Sequence, residues 1–320
     1  MVLGKKEIIS VIIAPIIIGV LFLVVDPMYQ KTIEEQIDRD TFRKLLEDEN
    51  IDIGIFKKSN NYPKHVNDFN EFKLRFGDEI ILSRVDASGL DLRGIDLSQT
   101  SFFVSNFSNT VLTDANMKGI IFSGYLNNAD LSNVILNKAI LKGIEGKGMN
   151  LTGSILSETV LTDAHLSRAD LTGVILSDAN LTNAFLVLTD LTGADLTGTI
   201  LWWANLAGAD LRNANLAGAD LFYALLNRAN LEGADLTGAR LTRADLTGAD
   251  LTGADLTGAD LTNATLPNAN LTGADLKNAN LTGANLYAAD LTRTTLEDAD
   301  LTGVNLIDAN LNCIVHSVCN

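Results

Sequence analysis

The chain has 320 residues, 40 acidic against 24 basic side chains, a net charge of −16, 6% aromatic residues and four prolines. That acid excess excludes direct nucleic-acid binding as an expectation, and so few aromatics suit a core of Leu and Ala rather than a conventional globule. Most of the charge lies late: residues 82–320 hold 26 acidic and 13 basic groups, which is −13 of the total.

In chain order, the first element is an uncharged run of 18 residues from Ile8 to Val25. It is close to the ~20 residues that cross the hydrocarbon core of a bilayer, and Pro15 and Gly19 are tolerated inside a membrane helix. A cleaved signal peptide fits less well, because Asp26-Pro27-Met28-Tyr29 contains no small-x-small cleavage site. A buried core helix has no place in the repetitive domain that follows. Residues 1–27 are therefore expected to form a single-pass transmembrane anchor that binds the membrane through residues 8–25. Lys5 and Lys6, the cations nearest the run, favour a cytoplasmic N-terminus and send the rest to the periplasmic or lumenal side; Lys31, Arg39, Arg43 and Lys44 pull the other way.

Residues 28–79 mix charges without a repeat. Ile33, Ile37, Phe42, Leu45 and Leu46 are spaced about four apart among Glu, Asp, Arg and Lys, which predicts an amphipathic helix in this linker. A shorter helix over 66–76 would lay Phe69, Phe72 and Phe76 across the start of the next domain as an N-terminal cap.

From about residue 80 a five-residue period takes over. Leucine stands at every fifth position from Leu151 to Leu311, 33 times in succession. Five is incommensurate with the 3.6 of an α-helix, so these leucines would spiral around a helix and leave no apolar face; the period means a solenoid. With Leu at position i, the unit reads Ala at i−2, Asp or Asn at i−1, Thr at i+1 and Gly or Asn at i+2, most purely in residues 244–262. Two apolar positions separated by one polar residue give an extended segment with Leu and Ala inside. Gly or Asn at i+2 supplies a corner, because those residues tolerate positive φ at least cost.

This unit matches the A(D/N)LxX signature of the pentapeptide-repeat proteins, and the chain resembles that family over roughly residues 80–315. The resemblance implies an all-β solenoid: a right-handed quadrilateral parallel β-helix, with Leu or Phe at i and a small residue at i−2 filling the interior; separately, the lack of any acid, base and nucleophile set leads to the expectation of a non-enzymatic protein. The columns agree with four walls. At a spacing of twenty, Asp130, Asn150, Asp170, Asp190, Asp210, Asn230, Asp250, Asn270, Asp290 and Asn310 align, whereas the other three columns are interrupted by other residue types. Before Leu126 the central residues run Leu82, Ala87, Leu92, Leu97, Phe102, Phe107, Leu112, Met117 and Phe122. The step from Phe122 to Leu126 is one residue short, which predicts a tightened corner, and Gly146 in a central slot predicts a bulge or small loop. In all, 47 units make nearly twelve coils, a rod of about 55 Å. Residues 316–320 form a C-terminal tail, and Ile314, Val315 and Val318 are expected to cover that end.

Chemistry is scarce. His65, His165 and His316 lie in separate regions, no nucleotide-binding or hydrolase motif is present, and no cofactor or metal is expected. Cys313, His316 and Cys319 are three potential ligands where a structural zinc site takes four. Cys313 and Cys319 are either disulfide partners, which needs an oxidising compartment, or two small buried residues of a cap. The carboxylate columns are read as a solvated face that keeps the rod soluble, their repulsion eased by interspersed Asn.

The outward positions carry the one candidate site. Trp202 aligns with Phe222 and Trp203 with Tyr223, with Ile200 on the same wall and Phe185, Val187 and Leu225 on the next. Outward side chains on a rod have no core to join, so this patch is a candidate protein-binding surface, the other reading being mutual stacking that firms the coil. Ile135, Ile155 and Ile175, flanked by Ile140 and Val160, form a second apolar strip. Two functions follow. One is a membrane-anchored scaffold that presents the aromatic patch to a protein partner. The other is a DNA mimic of the kind by which some members of this family inhibit type II topoisomerases.

Overall fold

The computed structural model describes residues 81–314 and 318–319. The expected transmembrane helix over 8–25, the amphipathic linker and the helical cap over 66–76 fall outside the described residues. Among the described residues there is no helix, and none long and apolar enough to cross a membrane. The chain is a four-walled coil. Asp130, Ile135, Ile140 and Glu145 bridge in parallel to Asn150, Ile155, Val160 and His165, and each column continues in steps of twenty.

One coil shows how the backbone is satisfied. Leu231 donates its N–H to the carbonyl of Asp250 above (2.6 Å), Asp250 donates back to Ala229 (2.9 Å), and Gly233 donates to Thr252 (2.9 Å). Ala234 then closes a turn onto the carbonyl of Leu231 at 3.0 Å, with Gly233 at φ 65°. Each unit therefore spends two of its five residues on a corner and exchanges a single bridge pair per wall. Extended strand is accordingly sparse. The longer pieces are β1 (Ile81–Ser83), β2 (Ser101–Asn106) and β3 (Ile121–Tyr125), which pair in parallel in that order.

The interior is a continuous column of Leu and Ala, nearly all fully buried from Ala87 to Leu296. Burying each Leu stabilises by roughly 2 kcal/mol. Phe102, Phe107 and Phe122 pack against one another inside the early coils with centroids 5.0–6.1 Å apart. Where Ser or Thr replaces Ala at i−2, its hydroxyl stays satisfied: Thr159 donates to the Leu136 carbonyl and Thr199 to that of Leu176, both at 3.0 Å.

Both irregular places differ from the sequence expectation. The missing residue after Phe122 does not tighten a corner. β3 runs extended where β2 carries an additional residue, and the register slips so that Ser105 faces Gly124 and Asn106 faces Tyr125. Gly124 adopts φ 132°, and a Cβ there would lie 2.0 Å from the Ser105 carbonyl oxygen. Gly146 makes neither bulge nor loop. Glu145 bridges His165 and Asn150 bridges Asp170 with the ordinary spacing, because Leu166 and the flexible Met149 side chain fill the space, Leu166 Cδ2 3.0 Å and Met149 Cε 3.2 Å from where a Cβ of Gly146 would stand.

At the C-terminal end, Cys313 and Cys319 form a disulfide with Cα atoms 5.0 Å apart. Cys313, Val318 and Cys319 pack against the core, whereas Ile314 faces solvent rather than covering the end. The last-coil residues Leu301, Leu306 and Leu311 are only partly buried.

A candidate interaction surface

A corner residue at i+2 needs φ near +60°, which costs an ordinary side chain roughly 1–2 kcal/mol and Gly or Asn much less. In one column the corners above Asn183 are Trp203 (φ 54°), Tyr223 (φ 57°) and Arg243 (φ 61°), after which Asn263 restores the usual residue. Three successive coils thus hold large side chains in left-handed backbone.

Their side chains, with those at i+1, form one stack. Trp203 lies parallel to Tyr223 at 6.2 Å, and Trp202 meets Phe222 edge to face at 6.5 Å. Within each coil, Trp202 touches Trp203 (6.1 Å) and Phe222 touches Tyr223 (4.6 Å), both edge to face. Such pairs contribute about 0.5–1.5 kcal/mol each beyond area burial, enough to offset the corner strain. The rings remain partly open to solvent, Trp203 at 49%.

The stack continues one coil further, into residues that sequence reading passed over. Arg240 places its guanidinium 4.4 Å from the Phe222 centroid and pairs with Asp220 at 3.1 Å. Arg243 lies over Tyr223 at 5.4 Å and donates to the Tyr223 hydroxyl. The signal was present in the spacing: 240 and 243 are twenty beyond 220 and 223.

The neighbouring wall is less continuous. Asn205 stands between Phe185 and Leu225 in the bridge column. Phe185 instead packs edge to face on His165 (4.7 Å), whose Nδ1 is 3.1 Å from Glu145. Leu225 is exposed two residues beyond Tyr223, and Ile200 lies in the column beneath Asp220 and Arg240. Leu188, exposed at a corner with φ 57°, lies across Gly208. The second strip is contiguous, with Ile135, Ile155 and Ile175 in one column and Ile121, Ile140 and Val160 in the next.

The polar columns are occupied by local bonding. Asp250 Oδ1 accepts from the Thr252 backbone N–H at 3.0 Å and from its hydroxyl, an Asx-type corner repeated along the rod. At several places where Asn follows Asp, its amide donates down the column, as from Asn150 to Asp130 at 3.0 Å. Hydrogen bonds from Arg212 hold Asp210 below the ordinary carboxylate range, and Arg93 does the same for Asp91. Partial burial pushes Asp260 up, but the Thr262 and Thr242 hydroxyls outweigh it and the net displacement is downward. Among the described residues no cluster of three or more His, Cys, Asp or Glu could hold a metal ion.

The repeat itself is matched by the family model for pentapeptide repeats, in eight copies covering residues 80–119 and, in overlapping stretches, 147–312. The chain is a pentapeptide-repeat protein. Among solved pentapeptide-repeat structures it is similar to HetL from the cyanobacterium Nostoc sp. strain PCC 7120, described as involved in heterocyst differentiation regulation. The two are 31% identical over 78% of this chain and 95% of HetL, with a TM-score of 0.45. It is also similar to Rfr23 from Cyanothece 51142, 31% identical over 39% of this chain and 90% of the other (TM-score 0.27). QnrB1, a plasmid-mediated fluoroquinolone resistance protein, shares 18% identity over 71% and 89% (TM-score 0.27). No match was found among curated proteins. The fold of pentapeptide-repeat proteins, a right-handed quadrilateral β-helix, accounts for the four bridge columns described above.

Proposed function

We propose that the chain is a non-enzymatic, membrane-anchored scaffold whose stiff rod presents the aromatic stack to a protein partner at a fixed distance from the bilayer. One observation carries the reading: Trp203 and Tyr223 occupy left-handed corners that Gly or Asn would fill with less strain, and both are partly solvent-exposed. Other side chains stand at left-handed corners elsewhere on the rod, Lys138 and Glu158 among them, but here two successive corners carry partly exposed aromatic rings stacked on each other, an arrangement that suits contact with a partner. Trp, Tyr and Arg are also the side chains that dominate binding energy at protein interfaces. The anchor rests on the uncharged run of residues 8–25, and the periplasmic or lumenal placement on Lys5 and Lys6.

The test is to exchange Trp202 and Phe222 for Thr and Trp203 and Tyr223 for Asn, then crosslink in intact membranes. Loss of specific adducts is expected, and an unchanged set would return the stack to a structural role. Deleting residues 1–27 should release the rod into the soluble fraction. A full chain that fractionates as soluble would defeat the anchor.

The charge of −13 carried by residues 82–320 favours a second reading, the acidic DNA mimic. The arginine-capped stack interrupts that negative surface. Inhibition of supercoiling by a purified type II topoisomerase would support the mimic, and the absence of any effect would remove it.

A further inference from the structure

We infer that the partner segment recognised by the aromatic stack is acidic: a peptide that sets a carboxylate on Arg243 and further carboxylate or carbonyl oxygens against the open edges of Trp203 and Tyr223, with its apolar side chains on the remaining exposed ring surface. This rests on the scaffold reading and names the chemistry of its partner. Three arginines of the rod pair with carboxylates, Arg93 with Asp91, Arg212 with Asp210 and Arg240 with Asp220, and among the described arginines without such a pair Arg243 is the one seated on an aromatic ring. Arg243 is held differently, by the Tyr223 ring and hydroxyl, and among the described residues no carboxylate forms an ion pair with it. An exposed guanidinium seated on an aromatic ring has lost part of its hydration and rotamer freedom in advance. It therefore binds a carboxylate, with two parallel N–H donors, at a smaller entropic cost than a free arginine.

Ring orientation points the same way. Trp203 and Tyr223 are stacked 17° from parallel and spend their facing surfaces on each other. What remains to a partner includes ring edges, whose hydrogens carry partial positive charge and suit carboxylate or carbonyl oxygens. The charge background is also local. Residues 201–245 hold four arginines against five carboxylates, whereas the whole span 82–320 holds 13 basic against 26 acidic groups. A short acidic segment can settle on this near-neutral island. A nucleic acid would extend its phosphates over the acidic walls above and below.

Trp202 and Trp203 are the only two tryptophans of the chain, so intrinsic indole emission reports this site alone. The full chain is titrated with a soluble peptide of repeated Glu-Glu-Leu, with a Lys-Lys-Leu peptide of equal length and with a short single-stranded oligonucleotide. A saturable shift of emission with the acidic peptide is expected, weakened about tenfold by Arg243→Asn. That substitution restores the residue type of Asn183 and Asn263 and should leave the fold intact, which a melting curve checks. Arg293→Asn, a corner arginine outside the stack, should leave the affinity unchanged. An equal response to the basic peptide or the oligonucleotide, no response to the acidic peptide at about 1 mM, or an affinity indifferent to Arg243→Asn would each overturn the inference. Any of these results alongside crosslinks that still depend on the aromatic residues would sink the acidic partner but leave the scaffold reading standing.

Discussion

Trp203 and Tyr223 stack 6.2 Å apart and 17° from parallel, each from a corner whose backbone is left-handed. Attraction between rings and strain in the backbone are of similar size, so the pair is close to neutral for folding. Replacing both by Asn should therefore move the stability by no more than about 1 kcal/mol in either direction. The same change should abolish partner crosslinking. A denaturant melt set beside the crosslinking pattern checks this, and a large destabilisation would mean that the stack is structural.

Gly124 faces Ser105 across the slipped register, and a Cβ would meet the Ser105 carbonyl oxygen at 2.0 Å with φ at 132°. No side-chain motion relieves a clash with backbone. Gly124→Ala should cost about 3 kcal/mol or more. Gly143→Ala, at a corner with nothing within 4 Å of the added atom, should cost only about 1 kcal/mol. Comparing the two melting curves separates crowding from corner strain.

Met149 occupies the room that Gly146 leaves in the core, and its Sδ would stand 3.6 Å from a Cβ at that position. Gly146→Leu alone should overpack the coil and cost about 1–3 kcal/mol. Adding Met149→Ala restores the common Leu and Ala arrangement and should recover most of the loss. A double-mutant cycle measures the coupling.

Asp210 and Asp91 have their carboxyls lowered first by side-chain hydrogen bonds from Arg212 and Arg93. A depressed folded-state value stabilises above the unfolded value of about 4 and is lost as pH falls through the lower, folded value. Both pairs are partly exposed, so solvent screening keeps the contribution small. Unfolding followed between pH 6 and pH 2 should show stability falling below about pH 4, with a shallower fall in Asp210→Asn.

Cys313 and Cys319 close a loop beside the last coil, where Leu301, Leu306 and Leu311 are only partly covered. Because each coil touches only its neighbours, loss of the disulfide should loosen that end and leave the middle unchanged. Cys313→Ser with Cys319→Ser should cost about 2–3 kcal/mol locally. Hydrogen exchange should rise in residues 291–311 and stay protected around Leu231.

The amino-acid sequence determined the solenoid, the interior set of Leu and Ala, and the four walls, because residues twenty apart stack in space and their chemistry can be read down a column. The same counting brought Trp202, Trp203, Phe222 and Tyr223 together. Only the tertiary structure decided the rest. Met149 turning into the gap at Gly146, β3 crossing a missing corner, Phe185 pairing with His165, and Arg240 and Arg243 closing over the rings all depend on side-chain direction and available volume. A period specifies which residues are neighbours. It leaves open which neighbour moves to fill a space, and that choice is made by packing.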